Sequence, residues 1–189
     1  MGKYANLLIF CFLFLFLGCG SGNEFESLSD FEDGFRDIPW EMSIEEALHA
    51  GFINIKSDLY QDPSQKDISF NNIEISDIQY AINPGGLYQV IFVIEDTPPE
   101  YAYDFNEAKK LEVKYAQIVN KLSEYFGDYT KQLDITSIPV SPVDTFWCGN
   151  DVILYVSLRA KDTIILNQKK YKGLIQIVVT TEKHPKVCN

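Results

Sequence analysis

Histidine is nearly missing from this chain. His49 and His184 are the only two in 189 residues, so a histidine-built metal centre has too few ligands to draw on. His-Glu-x-x-His, Gly-x-Ser-x-Gly, a phosphate-cradling glycine loop and an Asp-x-Asp-x-Asp-Gly calcium loop are also absent. With them go the sequence warrants for zinc proteolysis, serine hydrolysis, nucleotide binding and EF-hand chemistry. No cofactor is implied. Cations are scarce too: 16 Lys and Arg stand against 27 Asp and Glu, a formal net charge of -11. Such a chain has no electrostatic reason to coat nucleic acid or an anionic bilayer. Nor is any apolar run long enough to span a membrane. The longest lies within residues 7–19 and makes roughly 18 Å of helix at 1.5 Å per residue, against a hydrocarbon core about 30 Å thick.

That short run is still the most informative stretch. Lys3 precedes it, Gly18 and Cys19 close it, and Gly20-Ser21-Gly22-Asn23 follow. A charged start, an apolar middle and a small residue at the cut form an export signal. Phe16-Leu17-Gly18-Cys19 resembles the lipobox of bacterial lipoproteins, with Phe16 where Leu is usual. The resemblance implies cleavage by signal peptidase II before Cys19 and acylation of that cysteine by palmitate-type chains. It also implies residence in the cell envelope, periplasmic or surface-exposed, with the outer membrane favoured. The membrane would then be a partner through lipid alone, since two or more acyl chains anchor stably at about 0.8 kcal/mol per buried methylene. Plain secretion leaves Cys19 without a purpose, and an uncleaved anchor is too short. Residues 1–18 therefore read as the leader, 19–34 as a flexible acidic tether and 35–189 as a single domain. About 170 residues, with 46% apolar and 14% aromatic content over the whole chain, suffice for one core. Of four cysteines, Cys11 leaves with the leader and Cys19 takes lipid. Cys148 and Cys188 remain as an even pair, a candidate disulfide in an exported protein.

Along the chain, Ser43 and Glu46 form a capping box ahead of Ile44, Ala47 and Leu48, with Gly51 as the stop. Trp40 reads as core. Alternation predicts a strand over 52–56, a polar loop over 58–66, and extended segments at 68–70 and 73–75. A hairpin is predicted between 73–82 and 87–94, turning at Asn83-Pro84-Gly85-Gly86. Residues 87–94, LYQVIFVI, are apolar on both faces, as for an inner strand covered on both sides. A second capping box, Asp104 and Glu107, opens the longest helix. There Ala108, Leu111, Tyr115, Ile118, Leu122 and Tyr125 recur at three and four, up to Gly127. Beyond a stiff Ile138-Pro139-Val140-Ser141-Pro142 link, strands are predicted over 145–148, 151–159 and 174–181, with 163–166 as an extra. Antiparallel pairing of 151–159 with 174–181 brings Cys148 toward both His184 and Cys188.

A second resemblance enters here. Phe35-Arg36-Asp37-Ile38-Pro39-Trp40-Glu41-Met42-Ser43-Ile44-Glu45-Glu46 resembles the Arg-x-x-x-Trp-Gly-x-Ser-x-Glu-Glu opening of uncharacterised envelope lipoproteins, with Glu41 where Gly is usual. Tyr125-Phe126-Gly127 and Trp147 fit their later helix end and strand. A more distant likeness is to small α+β folds used in outer-membrane assembly and enzyme inhibition. The expected fold is α+β: a mostly antiparallel sheet with two helices on one face, the helix-then-strands arrangement occurring twice. The expected role is non-enzymatic, binding or assembling another envelope protein, with Tyr101, Tyr103 and Phe105 as a candidate contact surface. One alternative is an envelope hydrolase in which His184 activates the Cys148 thiolate. The other is an inhibitor that inserts loop 58–66 or 97–103 into a target enzyme.

Overall fold

The computed structural model describes residues 25–65, 69–96, 105–134, 143–165, 168–182 and 187–188. A single-turn 3-10 helix, Leu28–Phe31, leads into the strand pair β1 (Gly34–Phe35) and β2 (Ile38–Pro39) and helix α1 (Ile44–His49). Strands β3 (Ile53–Lys56), β4 (Leu59–Gln61), β5 (Ser69–Phe70), β6 (Ile73–Glu74), β7 (Asp77–Asn83) and β8 (Gly86–Asp96) follow. After helix α2 (Phe105–Phe126) come β9 (Lys131–Asp134), β10 (Val143–Cys148), β11 (Ile153–Ile165) and β12 (Gln168–Thr180). Eight of these strands form one sheet in the order β3-β4-β7-β8-β12-β11-β10-β9, antiparallel at every pairing.

Cross-strand register divides the sheet into two faces, because residues opposite each other point the same way. Ile78, Phe92, Ile177, Val156 and Thr145 form one row, and Tyr80, Val90, Val179, Leu154 and Trp147 the next. Every member of both rows is at most 3% exposed. Leu111, Tyr115, Ile118, Val119 and Leu122 of α2 and Ala47 of α1 join these rows in one core cluster. The α2 stripe thus packs at helical spacing, and Gly173 on β12 gives it room, since a Cβ there would collide with Leu111. Tyr115 reaches through this layer to place its hydroxyl 2.6 Å from Thr145 Oγ1. The α1 capping box forms as the sequence predicts: Ser43 Oγ accepts from the Glu46 amide, and Glu46 accepts from the Ser43 amide at 2.8 Å. These bonds hold the Glu46 carboxyl below its ordinary pKa.

Gly86, at φ +118°, closes the β7–β8 turn against the chain beside Trp40, where a Cβ would stand 2.6 Å from the Trp40 carbonyl oxygen. Trp40 is 9% exposed, and its indole N–H donates to the Phe31 carbonyl at 2.7 Å.

Four expectations need correction. The described part of the 19–34 tether is not loose: Phe25 and Phe31 are 8% and 0% exposed, because their rings pack on Phe35 and Phe70. The 58–66 loop contains strand β4, which buries Tyr60 and joins the sheet between β3 and β7. Ile73–Glu74 does not extend β7. It pairs with Ser69–Phe70 in a hairpin whose turn residues Asn71 and Asn72 are both left-handed. The extra strand at 163–166 is the continuation of β11, which runs unbroken in pairing with β12 as far as Ile165↔Gln168. As the sequence predicts, β8 is buried on both sides: Val90 and Phe92 lie in the core shared with the helices, and Ile91 and Val93, 9% and 4% exposed, form a second cluster on the opposite face with Val178, Leu59, Tyr155 and Leu174.

Candidate functional site

The sheet face turned away from the core cluster carries a different chemistry. One row runs Gln79, Ile91, Val178, Tyr155 and Phe146, and its neighbour runs Asp77, Val93, Gln176, Ser157 and Asp144. Aliphatic residues lie at its centre under a frame of longer polar side chains. Those side chains are held by one another. Asp77 accepts from Gln61 at 2.5 Å and from Gln79 at 2.9 Å. Gln89 donates to the Tyr155 hydroxyl at 3.3 Å, and Arg159 pairs with Asp144 at 2.7 Å. The second oxygen of Asp144 is buried with no hydrogen-bond partner among the described residues.

Tyr88 comes to the same face through an irregularity. The register of β7 and β8 slips between Ala81 and Ile82, and the Tyr88 hydroxyl donates to Asp58. Burial is the main force pushing the Tyr88 phenol up to about 12, with the Asp58 hydrogen bond and the Asp58 and Glu182 charges adding to it. Tyr155 is raised to about 12 as well, by burial first and then by the Asp144 charge. Both phenols therefore stay protonated, and able to donate, through any physiological pH. Among the described side chains, Asp58, Asp77, Asp144 and Glu182 outnumber Arg159 and Lys131 around this face, so this part of it is acidic. Tyrosine and arginine in a partly desolvated frame are the residue types that dominate protein contact surfaces.

Two other features compare poorly with it. A cleft of about 290 Å³ is lined by Ile73, Glu74, Ser76, Ile94, Lys114 and Ile118, at the small end of ligand-binding volumes. The Lys114–Glu95 ion pair at 2.8 Å bridges helix and sheet beside it. At the sheet edge, all four residues of β3 are exposed, including Ile53 at 54% and Ile55 at 42%.

The residues singled out from sequence fall as follows. Cys148 and Cys188 are joined, Cα atoms 5.7 Å apart, beside Phe146, Ile153 and Val187. A bonded Cys148 has no thiol to offer as a nucleophile, and His184 lies outside the described residues. So do Cys19, Tyr101, Tyr103 and loop 97–103. Phe105 is the first residue of α2, and only its backbone is described. His49 sits exposed at the end of α1. Tyr88, Gln89, Tyr155, Arg159 and Gln176 were not singled out. For Gln89, Tyr155, Arg159 and Gln176 the signal is a period of two, each belonging to a strand whose alternate residues are the core; Tyr88 departs from that period at the register slip. Among the described residues no three His, Cys, Asp or Glu side chains gather as a metal site, and no helix is long and apolar enough to cross a membrane. Comparison with protein-family profiles, with curated proteins and with solved structures found no match.

Proposed function

We infer that the protein is a lipid-anchored component of a bacterial cell envelope that binds another envelope protein without catalysing a reaction. The anchor is an acylated Cys19, favouring the outer membrane. The contact surface is the open sheet face around Tyr155, Gln176 and Arg159. The single observation that carries the binding role is this face: a broad antiparallel sheet whose side opposite the helix-containing core presents aromatic and amide groups already ordered by mutual hydrogen bonds. Ordering them beforehand lowers the side-chain entropy lost on association. The partner that fits is a protein surface rich in basic groups and hydrogen-bond donors, because the part of the face around Asp58, Asp77 and Asp144 is acidic and two identical copies, each at -11, repel one another.

The same frame accounts for the architecture. Helix α1 followed by β3, β4, β7 and β8, then α2 followed by β9 to β12, is one helix-then-strands unit occurring twice. The sheet order β3-β4-β7-β8 and then β12-β11-β10-β9 sets the two last strands side by side, as a two-fold axis between them would. Residues of both helices share one core cluster, which supports their packing on one face; on the other, Ile91, Val93, Val178 and Phe146 are buried, and the half-buried Gln79, Tyr155, Gln176 and Arg159 are what it offers a partner.

The test is a photo-crosslinking residue at position 176 of the open face or at 120 on α2, in cells making the full chain. The inference expects one basic partner protein attached at 176 and not at 120. Equal adducts at both sites, or an adduct only with a second copy of this chain, sink it. Intact-mass analysis of the membrane-extracted protein tests the anchor separately: acyl mass beginning at Cys19 is expected, and a plain Cys19 contradicts it.

A further inference from the structure

The path of the chain as it enters the fold sets how the domain stands on a bilayer. Phe25 is clamped by its backbone: its N–H donates to Asn71 Oδ1 at 2.8 Å, and its carbonyl accepts from Asn71 Nδ2 at 2.7 Å. The clamp is 1% exposed, held in a left-handed turn at φ +47°, and the Phe25 ring lies 4.5 Å from Phe31 and 5.3 Å from Phe70. From Phe25 onward the chain is part of the domain. Only residues 20–24 separate it from Cys19, so at about 3.3–3.6 Å per residue the reach from Cys19 to the clamp is at most about 20 Å.

The clamp sits at one end of the sheet. Leu28 packs beside Gly149, in the turn between β10 and β11. Asn72 donates to the Tyr125 hydroxyl near the C-terminal end of α2, and Trp147 donates to the Gly127 carbonyl just beyond that helix. The disulfide closes the same end. In the opposite direction, among the described residues, pairing with β10 stops at Leu158 and pairing with β8 at Leu174, while β11 and β12 pair on to Ile165↔Gln168. From Ile153 to Ile165 the hairpin spans twelve steps, about 40 Å.

We propose that the protein stands on the bilayer by its Asn150 end, on a leash too short to let the domain turn over, with the β11–β12 tip directed away from the lipid. This rests on acylation of Cys19. A tip-down orientation would lift Phe25 roughly 40 Å from the surface, about twice what residues 20–24 can reach. The outward tip also differs in charge from the rest of the chain: residues 160–173 hold Lys161, Lys169, Lys170 and Lys172 against Asp162 alone, whereas the whole carries -11. The surface facing the bilayer is thus the end beside the clamp, and the surface offered to the aqueous side is a basic hairpin.

Full-length protein extracted with its own lipid is reconstituted into vesicles carrying a headgroup-attached fluorescence quencher. A fluorescent residue is placed at position 150 or at 169. The proposal expects several-fold stronger quenching at 150 than at 169. It also expects that difference to collapse when about 30 Gly/Ser residues, adding about 100 Å of reach, are inserted after Asn23. Equal quenching at both positions, or stronger quenching at 169, in protein that floats with vesicles and carries acyl mass, overturns the leash. Persistence of the difference with the long insert assigns orientation to surface contact and overturns it too. Failure to float, with no acyl mass, overturns the lipid anchor and the proposal with it.

Discussion

The two faces of this sheet differ by one residue of register along every strand, yet they do different things. On one, Phe92, Ile177, Val156 and Leu154 are fully buried under α2 and the N-terminal segment. On the other, Gln89, Gln176, Tyr155 and Arg159 are half-buried and hold one another. A single alternating strand such as β11 serves both: Leu154, Val156 and Leu158 face the core, and Tyr155, Ser157 and Arg159 face away. Burial energy resides in the first set, roughly 1.5–3 kcal/mol for each large apolar side chain. The second set contributes less to stability and is where chemistry remains available. The lesson is that polar residues inside the central strands of this fold mark a surface and do not interrupt the core.

Phe70→Ala should produce the largest effect. Its fully buried ring lies 4.6 Å from Phe92 and touches Phe25 and Phe31, so truncation should cost about 3–5 kcal/mol in urea unfolding. Gln176→Ala, on the other face, should cost no more than about 0.5 kcal/mol. Similar losses would erase the contrast. Next comes the disulfide. Replacing Cys148 and Cys188 together by Ser should cost about 2–4 kcal/mol for a closed loop of this size, and reductant should lower the wild type to the same midpoint.

Arg159→Ala sharpens the comparison because it removes the cation beside Asp144, whose side chain is 12% exposed. With Arg159 itself 40% exposed, the loss falls between the surface and buried limits, about 1–2 kcal/mol. Crosslinking at position 176 should fall at the same time. A stability loss with unchanged crosslinking would make the pair purely structural.

Alkaline titration comes next. Tyr80, Tyr88 and Tyr155 are each raised to about 12, burial being the main cause in every case. Their folded pKa lies above the unfolded value near 10, so their contribution is fully present below pH 10 and is lost as pH rises through 12. Ultraviolet titration should show a late tyrosinate component that shrinks in Tyr80→Phe and Tyr155→Phe. Ionisation of every tyrosine near pH 10 while the protein is folded would contradict it. Smallest of all, Ile53→Lys with Ile55→Lys on exposed edge strand β3 should change stability by no more than about 0.5 kcal/mol and should improve solubility by blocking edge pairing.

Much of the covered face was legible in the sequence. The three-and-four spacing from Leu111 to Leu122, the Ser43–Glu46 box and the Asn83–Gly86 turn each act locally, and local rules suffice for them. Where tertiary contact decides, reading by pattern failed. Phe25 and Phe31 sit among Glu26, Asp30, Glu32 and Asp33, and the charge pattern suggested a tether. Their burial depends on Phe70, which lies some forty residues away in sequence. Strand β4 is three residues long, too short to show a period. The open face was legible only in part. Alternation marks Tyr155 and Gln176 as opposite to the core, but no single strand shows that Asp77, Gln176 and Asp144 share one row. That depends on a strand order spanning the whole chain.

Covalent footprinting of tyrosine side chains, performed once in intact envelopes and once on the purified protein, tests the division between the two faces most directly. Tyr88 and Tyr155 should be shielded in the envelope and labelled after purification, while Tyr129, 44% exposed near the end of α2, should be labelled alike in both. Equal labelling of Tyr88 and Tyr155 in both samples would mean that the open face meets only water.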